Sequence, residues 1–314
     1  MKKIFIFLGF LFVCREVAAY SPMADGLYIN HKISSQKKGY LLKCAEHGIK
    51  KCQMELGYDY IFRGRLRNDN MNNNFVQAKK WLTLSSDYPY SRYLLGYIEF
   101  NVSDKDSPKE KYGFLLIQSA CYEGVEDACA DTARYYNSRY INDLELGIAT
   151  TPDEDNINIR KAVFFYKKAI ALGEINCGYW EKIKDSDHIS LKKGELFDYK
   201  IALAKFMIKQ KDKEGVSLLE SLTYDSVSLD DDPLGSVYEK GEIVPRNLIK
   251  AYMYYDLGGN ASQPDKQRVA QKMSAEDINK AQELSWEWQE KHHSYREGYR
   301  NATDFPIQSH IIYK

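Results

Sequence analysis

Two pairs of cysteines recur in this chain with the same internal spacing. K-C-A-E-H-G-I-K-K-C, residues 43–52, is followed 77 positions later by A-C-Y-E-G-V-E-D-A-C, residues 120–129, and each stretch contains one glycine. On an unbroken helix, cysteines eight residues apart would be separated by roughly 12 Å, whereas a disulfide needs Cα atoms roughly 4.4–6.8 Å apart. Either the cysteines are unrelated, or the chain folds back at Gly48 and Gly124 and brings each pair together.

Apolar residues recur with the period of a helix along most of the chain. They lie three and four apart in A-V-F-F-Y-K-K-A-I-A-L (162–172) and in D-Y-K-I-A-L-A-K-F-M-I (198–208). No segment of strand length alternates valine or isoleucine with polar residues. We therefore expect an all-α protein.

The two cysteine stretches also continue alike, which indicates an internal repeat. C-Q-M-E-L-G-Y-D-Y (52–60) aligns with C-A-D-T-A-R-Y-Y-N (129–137), and Y-L-L-G-Y-I-E-F (93–100) takes the same register. Gly57, Gly96 and Arg134 then lie 39 and 38 residues apart. A period just under forty residues is typical of a helix–turn–helix repeat.

The clearest repeat unit is L-G-S-V-Y-E-K-G-E-I-V-P-R-N-L-I-K-A-Y-M-Y-Y-D-L-G-G, residues 234–259. It resembles the Sel-1-like repeat, a relative of the tetratricopeptide repeat, at the following positions: Leu234, Gly235, Tyr238, Gly241, Val244, Lys250, Ala251, Tyr254 and Tyr255. Partial matches occur at 161–173 and 81–86. The small residues would let paired helices approach closely, and Gly241 would end the first helix.

The resemblance implies an α/α superhelical solenoid of such repeats, over residues 36–296. Ser274, three residues before Asp277, predicts a capping box that opens a long amphipathic helix, which we interpret as the C-terminal cap of the array. Residues 297–314 are expected to form a tail, and residues 20–35 an N-terminal segment. The period fits poorly over 185–230, and Arg134 replaces a close-contact glycine.

The N-terminus predicts a secretory signal peptide, residues 1–19. Lys2 and Lys3 precede an apolar run that ends at Cys14, and small residues lie before Tyr20. The run is too short for a membrane span, and no later run is long enough, so we expect no stable membrane insertion after cleavage. The alternatives are an uncleaved anchor or a buried helix. The predicted location is the periplasm or the exterior of a bacterium.

The resemblance also implies how the cysteines pair. Secreted cysteine-rich members of the family, the Hcp group, are similar in carrying a C-x(7)-C pair where one repeat meets the next. We therefore predict disulfides Cys44–Cys52 and Cys121–Cys129. Zinc is the rival interpretation, but the spacing is not usual for its ligands. Cys177 has Ala169 at the partner position, so we expect a junction without a bridge and a buried thiol, with an intermolecular bond or a reactive thiol as alternatives.

The sequence contains no motif that predicts catalysis, a cofactor or a metal. G-x-S-x-G, H-E-x-x-H and the glycine-rich phosphate loops are absent. Two S-x-x-K strings, Ser35 to Lys38 and Ser190 to Lys193, are interpreted as chance, although weak β-lactamase or penicillin-binding activity is attributed to some of the Hcp group. The formal net charge is +0, which does not favour nucleic acid as a partner.

The remaining candidates for function are surfaces. Tyr58, Tyr97 and Tyr135 follow equivalent register positions, so they would form one stripe that either contacts a partner or only packs between helices. Two loops of opposite charge, residues 63–74 and 141–158, are plausible recognition elements or merely solvated turns.

These patterns favour an exported helical-repeat protein that binds another protein without catalysis. The resemblance implies a more specific possibility, a periplasmic immunity protein that neutralises an antibacterial toxin such as a secreted phospholipase effector. The alternative is an Hcp-like weak β-lactamase or a peptidoglycan-binding or penicillin-binding protein.

Overall fold

The computed structural model describes residues 35–62, 71–145, 152–184, 186–222 and 233–292, and every regular element in those ranges is helical. The predicted all-α class is therefore confirmed. Thirteen α-helices and one short 3₁₀-helix, Gly259–Ser262, lie in these ranges. The α-helices are α1 Ser35–Glu46, α2 Lys50–Phe62, α3 Met71–Leu84, α4 Pro89–Val102, α5 Pro108–Tyr122, α6 Glu126–Glu145, α7 Pro152–Ile183, α8 Ser186–Lys209, α9 Lys213–Ser221, α10 Leu234–Lys240, α11 Leu248–Leu257, α12 Gln263–Ala270 and α13 Ala275–His292.

The described residues up to Tyr199 form one compact unit and those from Lys200 onward form a second, and the range of the predicted array, 36–296, includes residues of both. The predicted signal peptide, the segment 20–34 and the tail 297–314 lie outside the described residues. In the described ranges, no helix combines the length and the apolar character that a membrane crossing requires.

In the first unit, α1 to α7 pack against their neighbours in chain order, and α2 also contacts α4. Helices α4 and α5 approach closely: a Cβ added at Gly96 would lie 2.6 Å from the carbonyl oxygen of Gly113. Only a residue without a side chain fits there, which explains why the aligned position in α4 is a glycine, Gly96. One part of the core consists of Leu41, Ala45, Leu56 and Trp81.

The chain turns at Gly48 and Gly124, as the cysteine spacing suggested. Both glycines have positive φ, 80° and 98°, a conformation that other residues rarely adopt. Their amides donate to the carbonyls of Ala45 and Cys121 at 3.0 and 3.1 Å. These turns end α1 and α5 and allow the next helix to pack back against the previous one.

The turns bring both predicted cysteine pairs to disulfide distance. The Cα atoms are 5.8 Å apart for Cys44–Cys52 and 4.6 Å apart for Cys121–Cys129. Each pair joins the end of one helix to the start of the next, so it closes a short loop. In the chain-entropy account, a disulfide that closes such a loop stabilises the fold by about 2–3 kcal/mol, because it restricts the unfolded chain.

The prediction of a third junction between repeats, between Ala169 and Cys177, is wrong. Helix α7 runs unbroken through both residues. Gly173 does not form a turn there: a Cβ at this position would lie 3.3 Å from the Glu126 side chain and 3.2 Å from that of Leu196. This glycine permits close packing instead. Cys177 is a buried free thiol, and burial raises its pKa.

The predicted acidic loop 141–158 is also largely helical. Helix α6 continues to Glu145 and α7 begins at Pro152, so residues 146–151 alone lie outside the described elements. Proline fits the first position of a helix, and acidic residues in the first turn favour the helix dipole. Asp153, Glu154 and Asp155 occupy that turn. Likewise, α3 begins at Met71, inside the predicted loop 63–74, of which residues 63–70 lie outside the described part.

The second unit contains the predicted hairpin of residues 234–259. Gly241, with φ of 71°, ends α10, and the Asn247 side chain accepts from the Lys250 amide at the start of α11. Ala251 is fully buried, and Gly235 lies against the ring of Tyr255. The two helices therefore approach closely at the small residues, as expected.

Helix α13 begins at the predicted capping box. The Ser274 hydroxyl accepts from the Asp277 amide at 3.1 Å and contacts the Asp277 carboxylate at 2.9 Å. The helix packs against α11, and its buried face consists of Ala281, Ser285 and Gln289. Ile278 and Leu284, the large apolar residues on the same side of this amphipathic helix as Ala281, are half-buried.

Candidate functional site

The three predicted tyrosines belong to a row of aromatic side chains in the first unit. We call Tyr58 and Phe62 of α2, Tyr97 and Phe100 of α4, and Tyr135 of α6 the aromatic row. Ring centroids are 4.4 Å apart for Tyr58–Phe62, 6.0 Å for Phe62–Tyr97 and 5.8 Å for Phe100–Tyr135. All five residues are half-buried, so each ring both packs and remains accessible.

Sequence reasoning missed the two phenylalanines of the row. Phe62 follows Tyr58 by four residues and Phe100 follows Tyr97 by three, which places each pair on one helix face. That spacing was the available signal. A further ring, Phe114 of α5, stacks on Tyr135 with centroids 3.7 Å apart and holds it in place.

A cavity of about 250 Å³ opens beside the row, between α4, α5 and α6. Its lining combines aromatic walls with a few polar groups: Tyr97, Phe100, Asn101, Phe114, Ile117, Asp131, Arg134, Tyr135 and Ser138. Cavities that hold drug-sized ligands are roughly 300–1,000 Å³. This cavity is smaller and suits a single large side chain.

An ion pair forms the polar side of this cavity. Arg134 Nη1 donates to Asp131 Oδ1 at 2.7 Å, and the Tyr93 hydroxyl donates to Asp131 Oδ2 at 2.9 Å. Burial raises the pKa of Asp131, and the Arg134 guanidinium partly opposes that shift. Burial also raises the pKa of Tyr93, so this hydroxyl stays protonated as a donor. Arg134, which replaces a close-contact glycine in the repeat alignment, therefore contributes its side chain to the cavity lining.

A buried ionic cluster lies near the N-terminal end of α6, and sequence reasoning did not find it. Lys192, 1% exposed, places its Nζ 2.6 Å from Glu195 Oε2 and 3.4 Å from Glu126 Oε2. Asn176 donates to the same Glu126 oxygen at 2.5 Å, and the Tyr199 hydroxyl donates to Asp127 at 2.9 Å. These contacts join α6, α7 and α8 within the first unit.

Burial sets the protonation of this cluster. It raises the pKa of Glu126 from its ordinary value of 4.5 to about 7, although the Lys192 ammonium opposes the shift. Burial would lower the pKa of Lys192, but the three surrounding carboxylates outweigh it and raise that pKa. Carboxylate oxygens of Glu126, Asp127 and Glu195 lie within 4.8 Å of one another. The Lys192 ammonium lies against Glu126 and Glu195 and offsets part of this charge, so we assign the cluster to folding.

Of the two S-x-x-K strings, the structure describes the serine and lysine side chains of the second alone. The side chains of Ser35 to Lys38 lie outside the described part. Ser190 is exposed on α8, and Lys193 Nζ lies 2.9 Å from Glu181 Oε1. That carboxylate raises the pKa of Lys193, so the amine is protonated at neutral pH and is a poor general base.

Comparison with protein-family models finds no match to this chain, and a search of curated proteins finds none either. The resemblance of residues 234–259 to the Sel-1-like repeat therefore remains a prediction that depends on those residues.

Proposed function

We propose that this protein is an exported helical-repeat protein that binds another protein through the aromatic row and catalyses no reaction. The observation that supports this most is the row itself, whose half-exposed rings lead to a cavity the size of one side chain. Tyrosine and phenylalanine are enriched at the cores of protein interfaces, and pockets there commonly take an anchoring side chain from the partner.

The proposed architecture is a solenoid in which α2, α4 and α6 line one face. Two facts support it. The helices of the first unit pack in chain order, and α2 and α4, each the first helix of a proposed repeat, also contact each other. In such an array equivalent residues of successive repeats lie side by side. Tyr58, Tyr97 and Tyr135 would then form one continuous binding face.

We further propose that the protein acts in the periplasm or outside the cell. Residues 1–19 have the pattern of a signal peptide, and two cysteine pairs lie at disulfide distance. Persistent disulfides form in oxidising compartments. Both observations favour export.

The specific partner we propose is a secreted toxin, with this protein as its immunity protein. A phospholipase effector is the example that the Sel-1-like resemblance supplies. The aromatic row and its cavity are compatible with occlusion of such a protein, since they offer apolar area and one anchoring site. No feature of the charge balance favours nucleic acid.

Affinity capture tests the proposal. Residues 20–314, oxidised and immobilised, are exposed to a periplasmic extract, and the retained proteins are identified by mass spectrometry. We expect one specific protein, retained by the wild type and lost with Tyr97→Ala. Tyr112→Ala, an exposed tyrosine of α5 outside the aromatic row, is the matched control and should retain it. Equal capture by all three proteins, or none, would overturn the proposal, provided that circular dichroism shows both variants folded.

A further inference from the structure

The polar side chains that line the cavity beside the aromatic row differ in how far their hydrogen-bonding groups are already used within the protein. Both oxygens of Asp131 already accept, one from Arg134 and one from Tyr93. The Asn101 amide donates to the Tyr97 carbonyl at 2.7 Å, and the Ser138 hydroxyl donates to the Tyr135 carbonyl at 2.9 Å. These side-chain groups are therefore engaged within the protein.

Arg134 is different because a guanidinium carries five N–H donors. Within the described ranges, the hydrogen bond made by this guanidinium goes to Asp131 and uses one edge. Its side chain is 55% exposed at the cavity mouth. The side chains that the structure describes therefore leave the other donors of Arg134 to a ligand that brings acceptors.

We infer that the cavity takes an aromatic side chain of the partner protein that is flanked by glutamate or aspartate, whose carboxylate accepts hydrogen bonds from Arg134. The inference rests on the proposed function, because it names the segment by which that partner binds. The volume of about 250 Å³ limits the occupant to one large side chain. The walls formed by Tyr97, Phe100 and Tyr135 suit a ring, since aromatic pairs favour offset or edge-to-face contact.

Charge favours an acidic flank over a basic one. The charged residues of the lining are Asp131 and Arg134, and the carboxylate is the less exposed of the two, at 25% against 55%. An approaching lysine or arginine would meet an Asp131 carboxylate whose two oxygens already accept hydrogen bonds. An approaching carboxylate would form a charge-assisted hydrogen bond with it, and Arg suits carboxylates for this reason.

Fluorine-observed NMR on three blocked pentapeptides tests the inference with the oxidised protein. The first peptide is Gly-Glu-Phe-Glu-Gly with 4-fluorophenylalanine; the second replaces both glutamates with glutamine. The third carries trifluoroalanine in place of the aromatic residue. We expect the first to bind at millimolar concentration, the second about fivefold more weakly, as for a partly exposed ion pair, and the third not at all. Equal binding of the first two, or no binding of the first, would overturn the inference.

Two variants locate the peptide. Arg134→Gln should abolish the preference for glutamate, whereas Arg160→Gln, an exposed arginine of α7, should preserve it. Ser138→Trp should fill the cavity from an exposed helix position and block the peptide. Ser217→Trp is its matched control, because Ser217 is also exposed and also donates to a backbone carbonyl within its helix. If the peptide binds the Arg134→Gln or Ser138→Trp variant as it binds the wild type, it binds elsewhere, and the inference is contradicted.

The inference can fail separately from the proposed function. A captured partner that requires Tyr97 but binds Arg134→Gln as tightly as the wild type, through a segment without acidic residues, would overturn the inference alone. Loss of partner capture from Arg134→Gln, together with a mapped acidic and aromatic segment, supports both.

Discussion

The Tyr93 hydroxyl on α4 donates a 2.9 Å hydrogen bond to Asp131 on α6, 38 residues later. That separation equals one of the two spacings of the proposed repeat, so the bond joins helices that would be equivalent in such a repeat. Asp131 in turn binds Arg134 at the cavity. A contact that holds α4 and α6 together therefore also positions a side chain of the candidate binding site.

Tyr93→Phe should lower the free energy of unfolding by about 1–3 kcal/mol, because it leaves a half-buried carboxylate with one donor fewer. Urea denaturation at pH 7 measures the change. Tyr97→Phe, on the same helix, is the matched control, since no hydrogen bond of its hydroxyl is seen within the described residues. An equal loss in both variants would contradict the role given to the Tyr93–Asp131 bond.

Stability should depend on pH through Glu126. Its pKa in the folded protein is about 7, above the ordinary 4.5, so the folded state binds this proton more tightly than the unfolded state. The resulting stabilisation is complete below about pH 4.5 and is lost as the pH rises through 7. Between pH 5 and pH 8 we expect the wild type to lose about 1–3 kcal/mol relative to Glu126→Gln.

Glu290→Gln, at an exposed position of α13, is the control for that experiment and should keep the wild-type slope. Unfolding free energies from urea titrations at intermediate pH values give both slopes. A Glu126→Gln protein whose stability changes with pH as steeply as the wild type would show that Glu126 is not the group responsible.

Replacement by alanine should have opposite effects on stability at Gly96, where α4 and α5 approach closely, and at Gly178 of α7. Gly96→Ala should destabilise the fold by about 3 kcal/mol or more, because the new methyl would clash with the Gly113 backbone. At Gly178 of α7 a Cβ meets nothing within 4 Å, so Gly178→Ala should stabilise by about 0.5–1 kcal/mol through helix propensity. Thermal unfolding of both variants checks this. A harmless Gly96→Ala would contradict the packing of these helices.

The cysteine pairs predict a defined peptide map. Mass spectrometry of the unreduced protein should find Cys44 joined to Cys52 and Cys121 joined to Cys129, with Cys177 as a thiol that reacts slowly until the protein unfolds. Replacing Cys121 and Cys129 with serine should cost about 2–3 kcal/mol of stability. Any other pairing, or four free thiols in protein isolated under oxidising conditions, would contradict the predicted disulfides.

Local patterns predicted the helical class, the turns at Gly48 and Gly124, the end of α10 at Gly241 and the Ser274 cap, because each depends on residues close in sequence. The same reasoning failed at the junction expected between Ala169 and Cys177, where Gly173 lies within α7 and packs close to Glu126. Whether a glycine turns or permits contact depends on its neighbours in space.

The ionic cluster shows the same limit. Lys192 and Lys193 are adjacent and identical in type, yet Lys192 is buried with Glu126, 66 residues earlier in the chain, and Lys193 is exposed beside Glu181. No local pattern separates them. The stripe of Tyr58, Tyr97 and Tyr135 could be anticipated from the repeat, but the cavity could not, since it depends on how α5 packs against α4 and α6.

Site-specific photo-crosslinking in the native cells tests the binding face most directly. A photoreactive benzoylphenylalanine replaces Tyr97, Tyr135 or, as the control, Tyr112, and crosslinked products are identified after irradiation. The proposed binding face predicts one partner protein crosslinked from positions 97 and 135 and little or none from 112. Crosslinking from position 112 alone, or at equal strength from all three positions, would contradict it.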